Sequence, residues 1–538
     1  MKRLGIILLS ASAVLAARSR FVINFEAADL RFSRVSKYDV VTLLDLPTIT
    51  EVGMPGLPVK TMHVALTPGQ RAVGVKIIEV ETETLSGTYR LLPVQPPRKT
   101  SDKEDRILGP SEKYYSHSIY PEKIAEIAGN GDIAGQALCA VRIYPLAYIP
   151  QSGTLILRKR IAIEVETESA PPPKGIKLTP LTRPIYESEL KELVANPEDV
   201  TLRSAAPTGT KLDPGDYEYV IITTSSLQSY WSQLLNWKKR KGVNDTIVNV
   251  TWIYNNYSGS DNQEKIRNFV IDANSTWGAI WFLIGADADQ IPMKVKQFYV
   301  DDWYDVPSDY YYADYDDDWY QEVYVGRAPA DNSSQINTFI SKVLKYEQDP
   351  PTTNYPLNVL LIGMDLDGST QSENVKEYID NYYIPSRFNV HKVYDSDGGN
   401  HRDSVLYYLN AGQNLVNHSD HSDWYVLGVG YTNHGWSLYR SDIDALYNTY
   451  KTCIFYSLGC WSNAFDYSDA ISEHFIVYNS NRAGVAYIGN TRYGWYNSGN
   501  YNTLSMKYDR EWWKSLFNYD KYILGQTLAD SRNRNYPS

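Results

Sequence analysis

From Tyr217 onward the chain alternates short apolar runs with amphipathic stretches. The runs Tyr217–Thr223, Ile280–Gly285, Val359–Gly363, Leu415–Asn417, Cys453–Leu458 and Gly484–Gly489 are near-continuously hydrophobic. Runs of that length read as strands buried on both faces. Between them, Gln228–Lys241, Gln263–Ala273, Gln335–Glu347, Gln371–Tyr382, Asp403–Ala411 and Ser468–Tyr478 read as helices. Strand–helix alternation predicts a mostly parallel, doubly wound α/β sheet. Pro350-Pro351 breaks the pattern and divides it into two α/β subdomains, residues 213–349 and 350–538.

The pattern upstream is different. Between residues 18 and 170 the period is two, as in Ala72–Val80 and Ile161–Val165, with turn-rich pieces such as Gly53–Pro58 between strands. This predicts an all-β sandwich. Residues 171–212 open on Pro171-Pro172-Pro173 and carry one short helix, Glu187–Ala195. They read as an exposed linker, with Arg203 its most obvious cleavage point. The last residues, Asn535–Ser538, read as a helix giving way to loop, which points to a longer natural protein.

Composition narrows the function. The 538 residues are 43% hydrophobic and 21% charged, an ordinary globular balance. A net charge of -11 with no long Lys/Arg run argues against a nucleic-acid partner. The 45 tyrosines and 13 tryptophans suit peptide- or sugar-binding surfaces as well as a plain extracellular composition bias. Met1-Lys2-Arg3 followed by an apolar stretch to Ala16-Ala17 reads as a signal peptide, residues 1–17. Arg18 ends that stretch short of the ~20 residues a membrane span requires, so no transmembrane segment is expected. The localisation this implies is secreted or cell surface. Three cysteines do not make a disulfide scaffold. Cys139 and Cys453 read as buried hydrophobes, and Cys460 stands apart at the strand break after Gly459.

Ligands and reacting groups collect at the carboxyl edge of an α/β sheet. Cys460 lies at the end of one predicted strand, and His421 follows another. A thiol and an imidazole delivered to one edge make a nucleophile and its base; the alternative for Cys460 is an inert buried thiol. His434, in Asn433-His434-Gly435, is a rival base further from its strand. His418 and His421 are three apart but lack a third ligand at fitting spacing for zinc. Residues 301–320 hold eight aspartates among aromatic residues. Such a loop suits Ca2+, the orienting of a histidine or the binding of a basic side chain, as well as plain solvation. Trp495, beyond the Gly484–Gly489 strand, is placed to wall a substrate pocket.

Taken together these residues resemble the gingipain family of cysteine peptidases, in the caspase-like clan. The resemblance is carried by Gly56-Leu57-Pro58 with Leu66-Thr67-Pro68-Gly69, Asp216–Thr223, Glu322–Pro329, Asn417–His421, Ser457–Cys460, Ala470–Phe475 and Gly484–Arg492. It implies a caspase-like α/β catalytic region behind a β-sandwich pro-domain, and a secreted endopeptidase made as a zymogen. It implies Cys460 as nucleophile, His421 as general base, and backbone N–H groups of Cys460 and Ser422 as oxyanion donors. Asp309 is the implied third acid. Asp318 is the implied partner of a basic P1 side chain, hence cleavage after Arg or Lys. The family's Gly-His-Gly is replaced here by Asp420-His421-Ser422. That departure keeps a second reading alongside the first: an inactive, Ca2+-binding surface or adhesion protein on the same scaffold. Protein or peptide substrates, no organic cofactor and a structural Ca2+ complete the expectation.

Overall fold

A computed structural model describes residues 19–102, 106–204, 209–431, 433–467 and 469–536. The stretch read as a signal peptide, residues 1–17, lies outside the described residues. The N-terminal region is all-β. In one sheet the long strands Gln70–Thr84 and Thr154–Ser169 pair antiparallel, with Arg20–Asn24 and Leu146–Ile149 also on Thr154–Ser169. In a second, Gln136–Ile143 lies between Lys60–Ala65 and Ala125–Ile133. Their inward residues, among them Ile23, Val64, Cys139, Val141, Leu157 and Ile163, form one core.

The segment read as an exposed linker is largely packed. Its helix runs Thr182–Leu193, and Thr182, Tyr186 and Leu190 repeat at a spacing of four to make a buried stripe. Ile176, Tyr186, Leu190 and Val194 join Ala65 and Leu138 of the sandwich and Ile280, Tyr320 and Tyr324 of the α/β region in one cluster. The stripe is narrow and set among charged residues, which hid it in the sequence. Arg203 is exposed, and residues 205–208 lie outside the described residues.

Two parallel sheets follow. The first is ordered Asp245–Asn249, Tyr219–Thr223, Trp281–Ile284, Tyr324–Arg327. The second contains β1 (Asn358–Gly363), β2 (Asn389–Tyr394), β3 (Leu415–Ser419), β4 (Cys453–Ser457) and β5 (Gly484–Ile488), in the spatial order β2-β1-β3-β4-β5. Three of these strands were not foreseen: Asp245–Asn249, Tyr324–Arg327 and β2. All three are edge strands with one side wet, so they lack a continuous apolar run. The expected Ser468–Tyr478 helix is shorter, a turn at Ile471–Glu473 continued by a wider π-helical turn at His474–Tyr478. Two further helices, Leu504–Asn518 and Leu524–Asn535, close the chain. The first buries Lys507, Asp509 and Arg510, and these charges masked its period.

Candidate active site

The site grows from the register of two neighbouring strands. β3 and β4 run parallel with His418 opposite Ser457, and His421 and Cys460 each stand three residues beyond that pair. Both are thus delivered to the carboxyl edge of one sheet. The two turns touch: a Cβ on Gly459 would stand 2.2 Å from Ser422 Oγ and 3.3 Å from the Asp420 carbonyl oxygen. Trp461, directly after the cysteine, has φ +56, a left-handed conformation that a bulky side chain rarely adopts. Its N–H donates to the Arg492 carbonyl at 2.5 Å, which fixes the sharp turn.

His418 is structural. Its Nδ1 lies 2.9 Å from Ser457 Oγ and its Nε2 2.6 Å from the Gly428 carbonyl oxygen. Burial holds its pKa down at about 4. His421 is 4% exposed, with Nε2 3.3 Å from the Leu366 carbonyl oxygen. Asp420 acts as a clamp. It accepts the N–H of His421 at 2.6 Å, of Gly430 at 2.7 Å and of Tyr431 at 3.1 Å. Burial nevertheless pushes its carboxyl up to about 7 against those three donors. Asp420 thereby ties the His421 turn to the 428–431 loop.

Cys460 is fully buried, and what covers it is the N-terminal region. Thr100 Oγ1 lies 3.0 Å from its Sγ, and the Gly494 carbonyl oxygen lies 3.8 Å away. Burial raises the thiol pKa, with hydrogen bonds from Thr100 and Ser101 pulling the other way. Arg98–Lys99 pairs antiparallel with Trp495–Tyr496, and the Thr100 N–H donates to the Gly494 carbonyl at 2.8 Å. Lys99 Nζ stands 4.9 Å from the Tyr304 ring and 4.5 Å from the Tyr493 ring. Trp495, in register with Lys99, packs edge-on to Tyr304 at 5.4 Å. Behind Tyr304, its hydroxyl donates to Asp301 at 2.5 Å. Burial alone would lower the Lys99 ammonium, but Tyr304 and Tyr493 outweigh it and hold its pKa above the ordinary value.

Asp309 makes a two-pronged ion pair with Arg327, each contact 2.7 Å, while Arg327 also donates to the Ala286 and Ile291 carbonyls. Asp318 accepts the N–H of Asp132 at 2.6 Å and of Tyr320 at 2.8 Å. Among the described residues no ion pair joins Asp318 to Lys99. His434 is bonded to Asp395 instead, Nδ1 to Oδ1 at 2.8 Å.

The acidic loop crowds carboxylates into two overlapping groups, Asp132–Asp316–Asp318 and Asp314–Asp316–Glu322. Burial, then mutual repulsion with Asp316, raises Asp132 to about 7 and Asp318 to about 8. Asp314 Oδ1 and Glu322 Oε1 are buried without a hydrogen-bond partner. Lys99, Thr100, Tyr304 and Tyr493 were not foreseen as site residues. The only local signal was a basic pair, Arg98-Lys99, directly after Pro96-Pro97.

The comparisons agree with this architecture. Residues 212–538 match Peptidase family C25, and residues 8–179 match Propeptide_C25. Gingipain R1 of Porphyromonas gingivalis is 21% identical over 428 residues, covering 76% of this chain and 41% of the relative. Gingipain R2 of P. gingivalis (strain ATCC BAA-308 / W83) is 20% identical over 491 residues, covering 84% of this chain and 60% of the relative. The crystal structure of the Arg-specific cysteine proteinase gingipain R superposes with a TM-score of 0.48 at 17% identity, over 59% of this chain and 75% of that one. The chain spans between 41% and 60% of the length of these two curated relatives. Because the C25 match occupies residues 212–538, more than half of the sequence, the chain belongs to peptidase family C25 and carries that family's propeptide domain at its N-terminus.

Proposed function

We propose that this chain is the latent form of a cysteine endopeptidase that cleaves after Lys or Arg, held inactive by its own pro-domain lying in the cleft as a substrate would. The observation that carries this reading is the course of Arg98–Thr100. It adds an antiparallel strand beside Trp495–Tyr496, sets Thr100 against the Cys460 thiol, and places the Lys99 ammonium in an aromatic cage. Backbone pairing gives a peptide affinity, and the pocket for one side chain gives specificity. Stacking of a cation on Tyr304 and Tyr493 suits Lys and Arg alike.

With Arg98–Thr100, the strap over Cys460, removed, His421 takes the proton from Cys460 Sγ and the thiolate attacks the scissile carbonyl carbon. N–H groups of Cys460 and Ser422 receive the oxyanion. The C–N bond breaks, the amine leaves with the proton from His421, and water hydrolyses the thioester. Trp495 walls the P1 pocket, and Asp301, through Tyr304, supplies its negative charge. Asp309 supports the cleft through Arg327. Asp318 serves the contact with the pro-domain strand.

Activation begins with a cut near Arg203. The Asp314–Asp316–Glu322 group suits a structural Ca2+, because the cation takes oxygen ligands and two buried carboxylate oxygens there lack partners. The basic, then apolar, N-terminus supports secretion or display at the cell surface. No helix among the described residues is long and apolar enough to cross a membrane.

The test is hydrolysis of fluorogenic peptides with Lys, Arg or Leu at P1 by the linker-cut chain. Lys and Arg peptides should be cleaved and Leu peptides spared. Cys460→Ala should lower the rate by a factor on the order of 10⁴ or more. Retained hydrolysis in that variant would remove Cys460 as nucleophile. Failure of a thiol probe to label Cys460 after the pro-domain has left would favour the non-catalytic binding protein.

A further inference from the structure

We propose that Asp395, His401 and His434 form a binding site for a borderline divalent transition metal ion of the Zn2+ class, at the carboxyl edge of the sheet on the far side of the His421 loops from Cys460. Each residue comes from a different element. Asp395 directly follows β2, His401 is the first residue of the helix His401–Ala411, and His434 sits in the loop beyond Val429. One ligand atom from each lies within 4.8 Å of the other two. Asp395 Oδ1 is 2.8 Å from His434 Nδ1 and 3.7 Å from His401 Nδ1.

The tautomer of His401 carries the argument. Its Nε2 lies 3.0 Å from the Asp397 carbonyl oxygen. A carbonyl only accepts, so the Nε2 nitrogen holds the proton and a neutral ring presents a bare lone pair at Nδ1. His401 is 1% exposed, and Nδ1 is buried with no hydrogen-bond partner. The group it faces is a carboxylate, which also only accepts. Two acceptors facing each other out of water are costly unless a cation stands between them. An imidazole whose second nitrogen donates to a backbone carbonyl is the usual arrangement of a metal-bound histidine, because that bond fixes ring orientation and tautomer.

The surroundings are built to hold the donors still. Asp395 Oδ2 accepts the Asp365 N–H at 3.0 Å and Asn433 Nδ2 at 2.7 Å, which leaves Oδ1 for the site. The His434 ring stacks on Trp436, centroids 4.7 Å apart and planes 10° apart, and His401 meets both rings edge-on. Gly430 keeps the space between the donors open. A Cβ there would stand 2.9 Å from His401 Nδ1 and 3.3 Å from both Asp395 Oδ1 and His434 Nδ1. Two imidazoles and one carboxylate select a borderline metal such as Zn2+ over Ca2+, which takes oxygen donors. When the metal binds, the proton that His434 Nδ1 shares with Asp395 moves to the ring's Nε2, which frees Nδ1 as a donor atom. The site is tied to the His421 turn from two directions. Asp365 precedes Leu366, whose carbonyl oxygen is 3.3 Å from His421 Nε2, and Gly430 is held by Asp420.

The test uses the full chain carrying Cys460→Ala, which removes a thiol that could compete as a ligand. After loading with Zn2+ at neutral pH and desalting, metal is counted by mass spectrometry, and affinity is measured against a chromophoric chelator. One retained equivalent is expected, with a rise in the unfolding temperature on loading. His401→Gln and His434→Ala, each in that background, should lose the equivalent and weaken Zn2+ binding by at least the roughly 100-fold that even an outer partner can be worth. His391→Ala, a histidine outside the cluster, should change nothing. His434 is in a loop and a third exposed, so its variant keeps the fold, which circular dichroism checks. No retained metal in the Cys460→Ala chain, unchanged affinity in both ligand variants, or displacement of Zn2+ by millimolar Ca2+ would each overturn the site.

Discussion

Gly459 has room for a hydrogen and for nothing larger, because Ser422 Oγ occupies the place a Cβ would take. Gly459→Ala should therefore cost about 1–3 kcal/mol, the usual range for overpacking, and should displace Cys460 from the His421 turn. Ser422→Gly in the same chain should recover part of both losses, as read by chemical denaturation and by peptide hydrolysis of the linker-cut form. The loss of glycine after His421 and the presence of glycine before Cys460 are thus one packing arrangement. The thiol itself makes a second prediction. In the intact chain burial raises its pKa above the ordinary thiol range near ~8.5. Alkylation of Cys460 at pH 7 should be slow and should keep climbing as pH passes 8.5. Removal of the pro-domain should speed it at pH 7, measured by mass spectrometry of labelled peptides.

The strands and turns that carry these residues separate two roles for Asp309. Its side chain is 13% exposed and that of Arg327 is 3% exposed, so the pair is nearly dry. Arg327 ends the edge strand Tyr324–Arg327, and Asp309 starts the turn after Trp303–Ser308. Their ion pair fastens the strand to the acidic loop. Asp309→Ala strands a buried guanidinium and should cost about 3–5 kcal/mol in unfolding free energy. A proton-handling role for Asp309 would lower kcat and leave stability in place, so denaturation and kinetics on one variant tell the two apart. A related tie holds β3: Asn417, four residues before His421, and Lys376 both bond Asp509 of the helix Leu504–Asn518, with Lys376 and Asp509 fully buried. That helix was illegible in the sequence because its core-facing side carries such charges, and an ion pair is recognised only when both partners are in view.

The pro-domain is held at several places besides the strap over Cys460. His63 Nδ1 lies 2.8 Å from Tyr320 hydroxyl, Asp132 N–H donates to Asp318, and Asp45 pairs with Lys514. Cutting near Arg203 leaves all of these contacts intact. The cut chain should therefore stay one particle on size exclusion and remain weakly active until the pro-domain dissociates or is digested. Lys99→Ala, which empties the aromatic cage, should shorten that delay. The Asp132–Asp318 contact also makes the hold pH-dependent. Burial raises the two carboxyls to about 7 and about 8, above the ~3.9 of an unfolded Asp. Between those values the folded chain holds more protons than the unfolded one, so stability falls as pH rises from about 4 through 8. Thermal unfolding at pH 6 and pH 8.5 should show that fall. Added Ca2+ should reverse it at the higher pH, because a bound cation stabilises the folded form.

The sequence by itself determined the elements whose reason is local. Strands buried on both faces, such as β1, β3 and β4, write themselves as unbroken apolar runs, and the carboxyl-edge rule then placed Cys460 and His421 on one edge. Parallel register turned that placement into opposition, since His418 faces Ser457 and both chains continue for three residues. Edge strands, the buried stripe of Thr182–Leu193 and the charged C-terminal helices were decided only by what packs against them. The contacts on which the proposed latency rests were also decided there. Thr100 reaches Cys460 across 360 residues of chain, and Lys99 finds Tyr304 and Tyr493 only after two regions dock. Asp395, His401 and His434 likewise converge from three elements. A hydrophobic period reports which way one segment faces; a site assembled from separate segments exists only once their backbones have been brought together.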